Sequence, residues 1–179
     1  MRLGILSDLH LRGKDLQSQV DALDLALTDM LDNNVDWVLC AGDVWDSSTV
    51  GDSEASAGKV VSSFLAPVEK ANLPWVIVGG NHDRRCQGKT TSSLEVLASH
   101  PLIKTVSSKP EHISVSDGND QVIVAAYPWM VLADTPYGKT FKGWIKEELS
   151  KTKEVFDKAS EHYKIFLSHC ALEGSYTPY

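Results

Sequence analysis

The stretch VIVGGNHDRR, Val76–Arg85, runs from β-prone apolar residues into two glycines and then into Asn81, His82 and Asp83. A short, uniformly apolar run fits a strand buried on both faces. A Gly-Asn turn after that strand would account for the stretch taken alone. The rest of the chain decides whether three side chains able to bind metal or move protons stand there for chemistry.

The surrounding sequence repeats the pattern. Arg2–Leu6 is a short apolar strand ending in Ser-Asp, and Val35–Ala41 is a near-continuous apolar strand running into Gly42-Asp43. Between them, Leu16, Val20, Leu23, Leu27, Met30 and Leu31 have the spacing of an amphipathic helix over Asp15–Asn33. Asp15 is its expected N-cap and Asn33-Asn34 its stop. A second helix is expected over Glu54–Lys70, with Val60, Val61, Phe64, Leu65 and Val68 on one face. Pro74–Gly79 is the third strand. This β-α-β-α-β order with one-colour strands predicts an α/β fold whose sheet is mostly parallel and covered on both faces. Beyond a short helix near Ser92–Ser99, His112–Ser116 and Gln121–Ala126 read as a β-hairpin joined by Asp117-Gly118-Asn119-Asp120. A long helix, Lys139–His162, leads to a last strand, Lys164–Leu167.

Composition sets outer bounds. At 179 residues, with 42% hydrophobic and 23% charged, the chain is the size of one globular domain with a real core. No apolar run reaches the length of a membrane span, and the N-terminus turns polar too early for a secretory signal. Cys40, Cys86 and Cys170 are widely spaced and odd in number, which argues for a cytoplasmic home and against a disulfide framework. The net charge of −7 is the wrong sign for a broad nucleic-acid-binding surface. A phosphate substrate stays open where divalent cations supply the positive charge.

Polar residues gather at one kind of place. The strands end in Asp8-Leu9-His10, Gly42-Asp43, Asn81-His82-Asp83 and, last, His169. Sites in open α/β sheets form at the carboxyl ends of strands. Singly, Asp8 and Asp43 read as helix caps, and His10 and His169 as surface histidines. Together they read as ligands. Carboxylate, imidazole and amide oxygen without thiolate suit Mn²⁺, Fe²⁺ or Zn²⁺. A carboxylate such as Asp43 can bridge two ions about 3.5–4 Å apart, which would polarise a phosphate and acidify a bridging water. His82 is the candidate to stabilise the transition state or protonate the leaving oxygen, and Asp83 the nearest candidate to orient it or to cap the next helix.

The ordered set Asp8-x-His10, Gly42-Asp43, Gly80-Asn81-His82-Asp83 and a later His169 resembles the calcineurin-like metallophosphoesterases. Within that superfamily SDLHL, AGDVWDSSTVGDSEA, LPWVIVGGNHD and AAYPW are similar to the bacterial and phage SbcD-type DNA repair nucleases. The resemblance implies an αββα sandwich, two Mn²⁺ ions, phosphodiester hydrolysis, a DNA substrate and an SbcC-type ATPase partner. By position it implies that Asp8, His10 and Asp43 hold one metal and Asp43, Asn81 and His169 the other, with His82 catalytic. No membrane is expected as a partner, and a homodimer is allowed.

The chain departs from the pattern in two places. Leu11-Arg12-Gly13 stands where the family has Leu-Gly, and the family's closing Gly-His-x-His segment has no counterpart before Tyr179. The expectation is therefore a single nuclease domain over 1–179 that lacks its C-terminal part, with weak metal occupancy and an exposed edge at the last strand. Alternatives are a phosphodiesterase or phosphatase for a small or protein-bound phosphate, and a weakly active scaffold of the same fold. Arg84, Arg85 and Lys89 are candidates for a DNA phosphate, and Trp45, Tyr127 and Trp129 for base stacking, each against an ordinary solvated or packed role. Cys170 reads as a small core filler.

Overall fold

The computed structural model describes residues 1–47, 50, 54–84, 92–160 and 163–170. Strands β1 (Leu3–Leu6), β2 (Trp37–Cys40), β3 (Trp75–Val78) and β4 (Ile103–Val106) form a parallel sheet in that order. A second sheet holds β5 (Glu111–Ser116), β6 (Gln121–Tyr127) and β7 (Tyr163–Ser168), with β5 antiparallel and β7 parallel to β6. Helices α1 (Leu16–Asp32), α2 (Glu54–Ala71) and α3 (Phe141–Lys158) complete the fold.

Strand periodicity explains how two layers share one sheet. Val38 and Cys40 of β2, with Trp75 and Ile77 of β3, face the core under α1 and α2. Leu39, Val76 and Val78 point the other way, against Val115, Val122, Val124 and Ala126 of the second sheet. The parallel sheet is thus covered by helices on one side and by a sheet on the other. Leu23 and Leu27 of α1 meet Val60, Phe64 and Val68 of α2, four residues apart, where they continue the first core. Burying Phe64 alone contributes about 1.5–3 kcal/mol relative to exposure. The outer face of the second sheet is held to α3 through Thr152, whose Oγ1 lies 2.6 Å from the Tyr127 hydroxyl and 2.8 Å from Nε2 of His112.

Several local expectations need correction. Asp15 occupies the N-cap position of α1 without a side-chain cap bond, because Arg12 takes its carboxylate at 2.6 Å. Asn33 does end the helix, its side chain donating to the Asp29 carbonyl at 2.8 Å. The segment near Ser92–Ser99 is a short 3-10 turn over Ser93–Leu97. Strand β4 is additional to the sequence reading. Helix α3 starts at Phe141 behind Thr140, whose hydroxyl caps Gly143, and ends at Lys158 rather than at His162. Among the described residues no helix is long and apolar enough to cross a membrane.

Candidate metal centre

The loops after β1 and β2 are zipped together by their backbones. Asp8 N–H donates to the Gly42 carbonyl at 3.0 Å, His10 N–H to Asp43 at 3.0 Å and Leu11 N–H to Val44 at 2.9 Å. Three non-glycine residues here adopt left-handed backbone: Asp8 at φ 55°, His10 at 46° and Asp43 at 54°. Each costs on the order of 1–2 kcal/mol for an L-residue and persists only where surrounding contacts impose it. Such strain, concentrated on two carboxylates and an imidazole, turns their side chains toward one point.

Asp43 is the hub. It is buried, its Oδ1 accepts the His82 amide at 2.9 Å, and its Oδ2 stands 3.4 Å from Nε2 of His169 and 3.8 Å from Nε2 of His10. Two glycines make room for it. A Cβ on Gly80 would lie 2.0 Å from Asp43 Oδ1 and 2.5 Å from its amide nitrogen, and one on Gly42 would lie 2.7 Å from Nδ1 of His169. The four segments separated in sequence thus converge, because strand ends β1, β2 and β3 lie side by side and β7 delivers His169 from the facing sheet.

Two imidazoles have their tautomers assigned by carbonyls, which only accept. His169 Nδ1–H donates to Ala41 O at 2.8 Å, leaving Nε2 facing Asn81 Oδ1 at 2.9 Å and Asp43 Oδ2. Nε2 is thus the ring nitrogen placed to ligate a cation together with these two side chains. His82 Nδ1–H donates to the Asp46 carbonyl at 2.7 Å, leaving its Nε2 without a hydrogen bond among the described residues, and its ring meets that of His10 edge-on at 4.7 Å. His10 Nε2 lies 3.6 Å from Asp8 Oδ1, while its buried Nδ1 has no hydrogen-bond partner among the described residues and stands 3.7 Å from Asp46 Oδ1. Donor atoms of Asp8, Asp43 and His169 lie within 4.8 Å of one another, as do those of His10, Asp43 and His82. Orphaned nitrogen, converging lone pairs and a donor set of hard oxygens with imidazole all fit divalent cations. Distance alone does not set His82 apart from the other donors.

Asp83 does not orient His82. Its Oδ1 accepts the Trp45 amide at 3.0 Å and its Oδ2 the Gly80 amide at 2.9 Å, so it staples the β2 and β3 loops. Burial pushes its carboxyl above the usual carboxylate range, against the Trp45 and Gly80 amides that favour the charged form. The group that does fix His82 is the main-chain carbonyl of Asp46. No spacing rule finds a carbonyl.

Flanking candidates separate clearly. Trp45 and Tyr127 are buried, Trp45 edge-on to Phe64 at 5.7 Å, so neither offers a face to a base. Trp129 sits nearer the site, 6.1 Å from the His169 ring. Arg84 forms a two-pronged ion pair with Asp134. Arg85, Lys89 and Cys86 lie outside the described residues, and Cys170 is exposed rather than a core filler.

Comparison with known proteins bears on the family and the fold. The chain is 30% identical over 189 residues to the SbcD component of the nuclease SbcCD of Bacillus subtilis, across 97% of this chain and 48% of that protein. It therefore spans about half the length of that relative. A dimetal phosphatase from Danio rerio has a similar fold, with TM-score 0.50 and 12% identity over 85% of this chain and 51% of the other. The family model for calcineurin-like phosphoesterases matches residues 1–179. With that match over its whole length, the chain belongs to the calcineurin-like phosphoesterase family.

Proposed function

We propose that this chain is the catalytic core of a two-metal phosphodiesterase of the SbcD type, acting on DNA and docking an SbcC-type ATPase in the cytoplasm. The observation that carries the reading is Asp43, a buried carboxylate set between His10 on one side and His169 on the other. Asp8, His10 and Asp43 would hold one ion, and Asp43, Asn81 and His169 the second; the donor set suits Mn²⁺, Fe²⁺ or Zn²⁺, and the family resemblance points to Mn²⁺. The ions supply Lewis-acid stabilisation of phosphoryl charge and a more acidic water.

The chain's own groups do the rest. Attack of a water oxygen forms one phosphorus–oxygen bond and breaks another, and the departing oxygen needs a proton. His82 is suited to give it. Its Nδ1–H is anchored on the Asp46 carbonyl, so the ring is held in orientation and its Nε2 is the nitrogen left to transfer a proton. The strained backbone at Asp8, His10 and Asp43 keeps the acidic donors in place before substrate arrives.

Metal content of the purified chain, measured with cleavage of single- and double-stranded DNA in Mn²⁺, tests this. Two ions per chain with Mn²⁺-dependent DNA cleavage supports the proposal, and hydrolysis of phosphomonoesters alone would reject it. The net charge of −7 favours a second reading, a phosphodiesterase or phosphatase for a small or protein-bound phosphate. That enzyme would cleave a chromogenic diester and ignore DNA.

A further inference from the structure

Beside the metal centre, at the end of β4, lies a cavity of about 430 Å³ that the proposed chemistry does not use. It connects to the centre through the chain that follows β3, and none of the candidate ligands lines it. Arg84 in its wall follows His82 by two residues, and the Cα of Ser107, also in its wall, would be 3.4 Å from a Cβ on Gly79. Its volume falls in the range of sites for small ligands, roughly 300–1,000 Å³.

The charges around it select a ligand. Arg84 is matched by Asp134, whose Oδ2 also accepts the Val131 amide at 2.8 Å. Glu148 is matched by Lys151 at 2.7 Å. Lys109, exposed at the cavity wall, has no ion-pair partner among the described residues. Lys109 is therefore the one charged side chain of the lining without an ion-pair partner among the described residues, since Glu148 is neutralised from outside the cavity by Lys151. The Arg84–Asp134 pair is flat, because a guanidinium gripping both carboxylate oxygens shares their plane. Both side chains are only partly accessible, at 24% and 16%, so the pair offers one face rather than standing free in solvent. Half-buried Pro110 adds apolar surface, with the buried Trp144 behind it.

A flat, uncharged, polar body attached to one anionic group fits this lining. Bare phosphate does not, since Arg84 is already neutralised and Lys109 alone faces it. Resting on the phosphodiesterase reading, we propose that this cavity is a subsite for one nucleotide unit next to the scissile phosphate. The base lies against the Arg84–Asp134 plane, and the unit's phosphate meets Lys109.

The test is binding without metal. In EDTA, calorimetric titration with thymidine 5′-monophosphate is expected to show tighter binding than ribose 5-phosphate or inorganic phosphate. Lys109→Ala, at an exposed position that folding tolerates, should weaken the nucleotide roughly threefold to tenfold. Arg84→Lys keeps the charge and loses the plane, so it should weaken thymidine 5′-monophosphate and leave ribose 5-phosphate unchanged. Equal binding of nucleotide and inorganic phosphate, or unaltered binding in Lys109→Ala, would overturn the subsite. Mn²⁺-dependent hydrolysis of bis(p-nitrophenyl) phosphate by the native chain reports on the phosphodiesterase reading separately. Hydrolysis without nucleotide binding sinks the subsite alone, and nucleotide binding without hydrolysis sinks the diesterase reading alone.

Discussion

The carboxylate of Asp46 stands 3.7 Å from Nδ1 of His10, a buried nitrogen with no hydrogen-bond partner among the described residues. The same residue holds His82 through its carbonyl, so one turn backs two imidazoles by two different groups. An imidazole that ligates through Nε2 gains basicity and orientation when Nδ1–H meets a carboxylate. Asp46→Ala is therefore expected to weaken Mn²⁺ binding about 10–100-fold by calorimetry, with Asp46→Asn intermediate because its amide oxygen still accepts. The carbonyl survives both substitutions, so His82 stays anchored. Native affinity in Asp46→Ala would remove Asp46 from the site.

Gly80 is the tightest point of the centre. With a Cβ there at 2.0 Å from Asp43 Oδ1 and 2.5 Å from the Asp43 amide nitrogen, backbone has to move. Gly80→Ala should cost about 2 kcal/mol as overpacking, a fall in Tm of roughly 4–8 °C, and should abolish Mn²⁺ binding with it. A variant that melts normally and binds Mn²⁺ would contradict the geometry around Asp43.

His82 and Asp43 should separate chemistry from binding. His82→Ala is expected to keep most Mn²⁺ affinity while turnover falls by about 10²–10⁴-fold. Asp43→Ala should lose both. Because His82 lies within 4.8 Å of His10 and Asp43 donor atoms, loss of metal in His82→Ala would make it a ligand instead.

Much of this was legible because apolar pattern and strand ends are sequence-local. The uniformly buried WVIV of β3 announces a covered parallel strand, and Asp8, Asp43, Asn81 and His169 stand where such strands end. Strand β4 is harder to see. It is the edge of its sheet, with Lys104 exposed and Thr105 half-buried between Ile103 and Val106, so its four residues carry little apolar signal. Asp83 and Asp46 escaped a correct role because their decisive bonds run through main-chain amides and a carbonyl, groups every residue carries. Trp45 looks like a rim aromatic beside Asp43 yet points into the core, since alternation past a strand end depends on backbone the sequence does not display.

The cysteines give a readout of His169. Burial holds the Cys40 thiol up to about 12, so it carries almost no thiolate at pH 8, whereas Cys170 is exposed and follows His169. In a Cys86→Ser background one thiol should react quickly with a disulfide reagent and one hardly at all. Saturating Mn²⁺ should slow the fast thiol several-fold by fixing its neighbour. An unchanged rate, with Mn²⁺ bound, would take His169 out of the ligand set.

DNA binding should depend on divalent cations before any cleavage occurs. The centre presents Asp8, Asp43 and Asp46 to a polyanion, and the whole chain carries a net charge of −7, so the bare protein repels DNA. Loading with Ca²⁺, taken as a slow substitute for Mn²⁺, should raise affinity for single- or double-stranded DNA by at least tenfold over EDTA. With the ions bound, affinity should still fall as salt rises, by about 0.9 in the logarithmic slope for each duplex phosphate contacted. Lys109→Ala should reduce that slope by about one if Lys109 meets a phosphate. A small-substrate diesterase would show neither the DNA gain nor the slope. Tight, salt-sensitive DNA binding in EDTA would place the DNA surface somewhere other than this acidic centre.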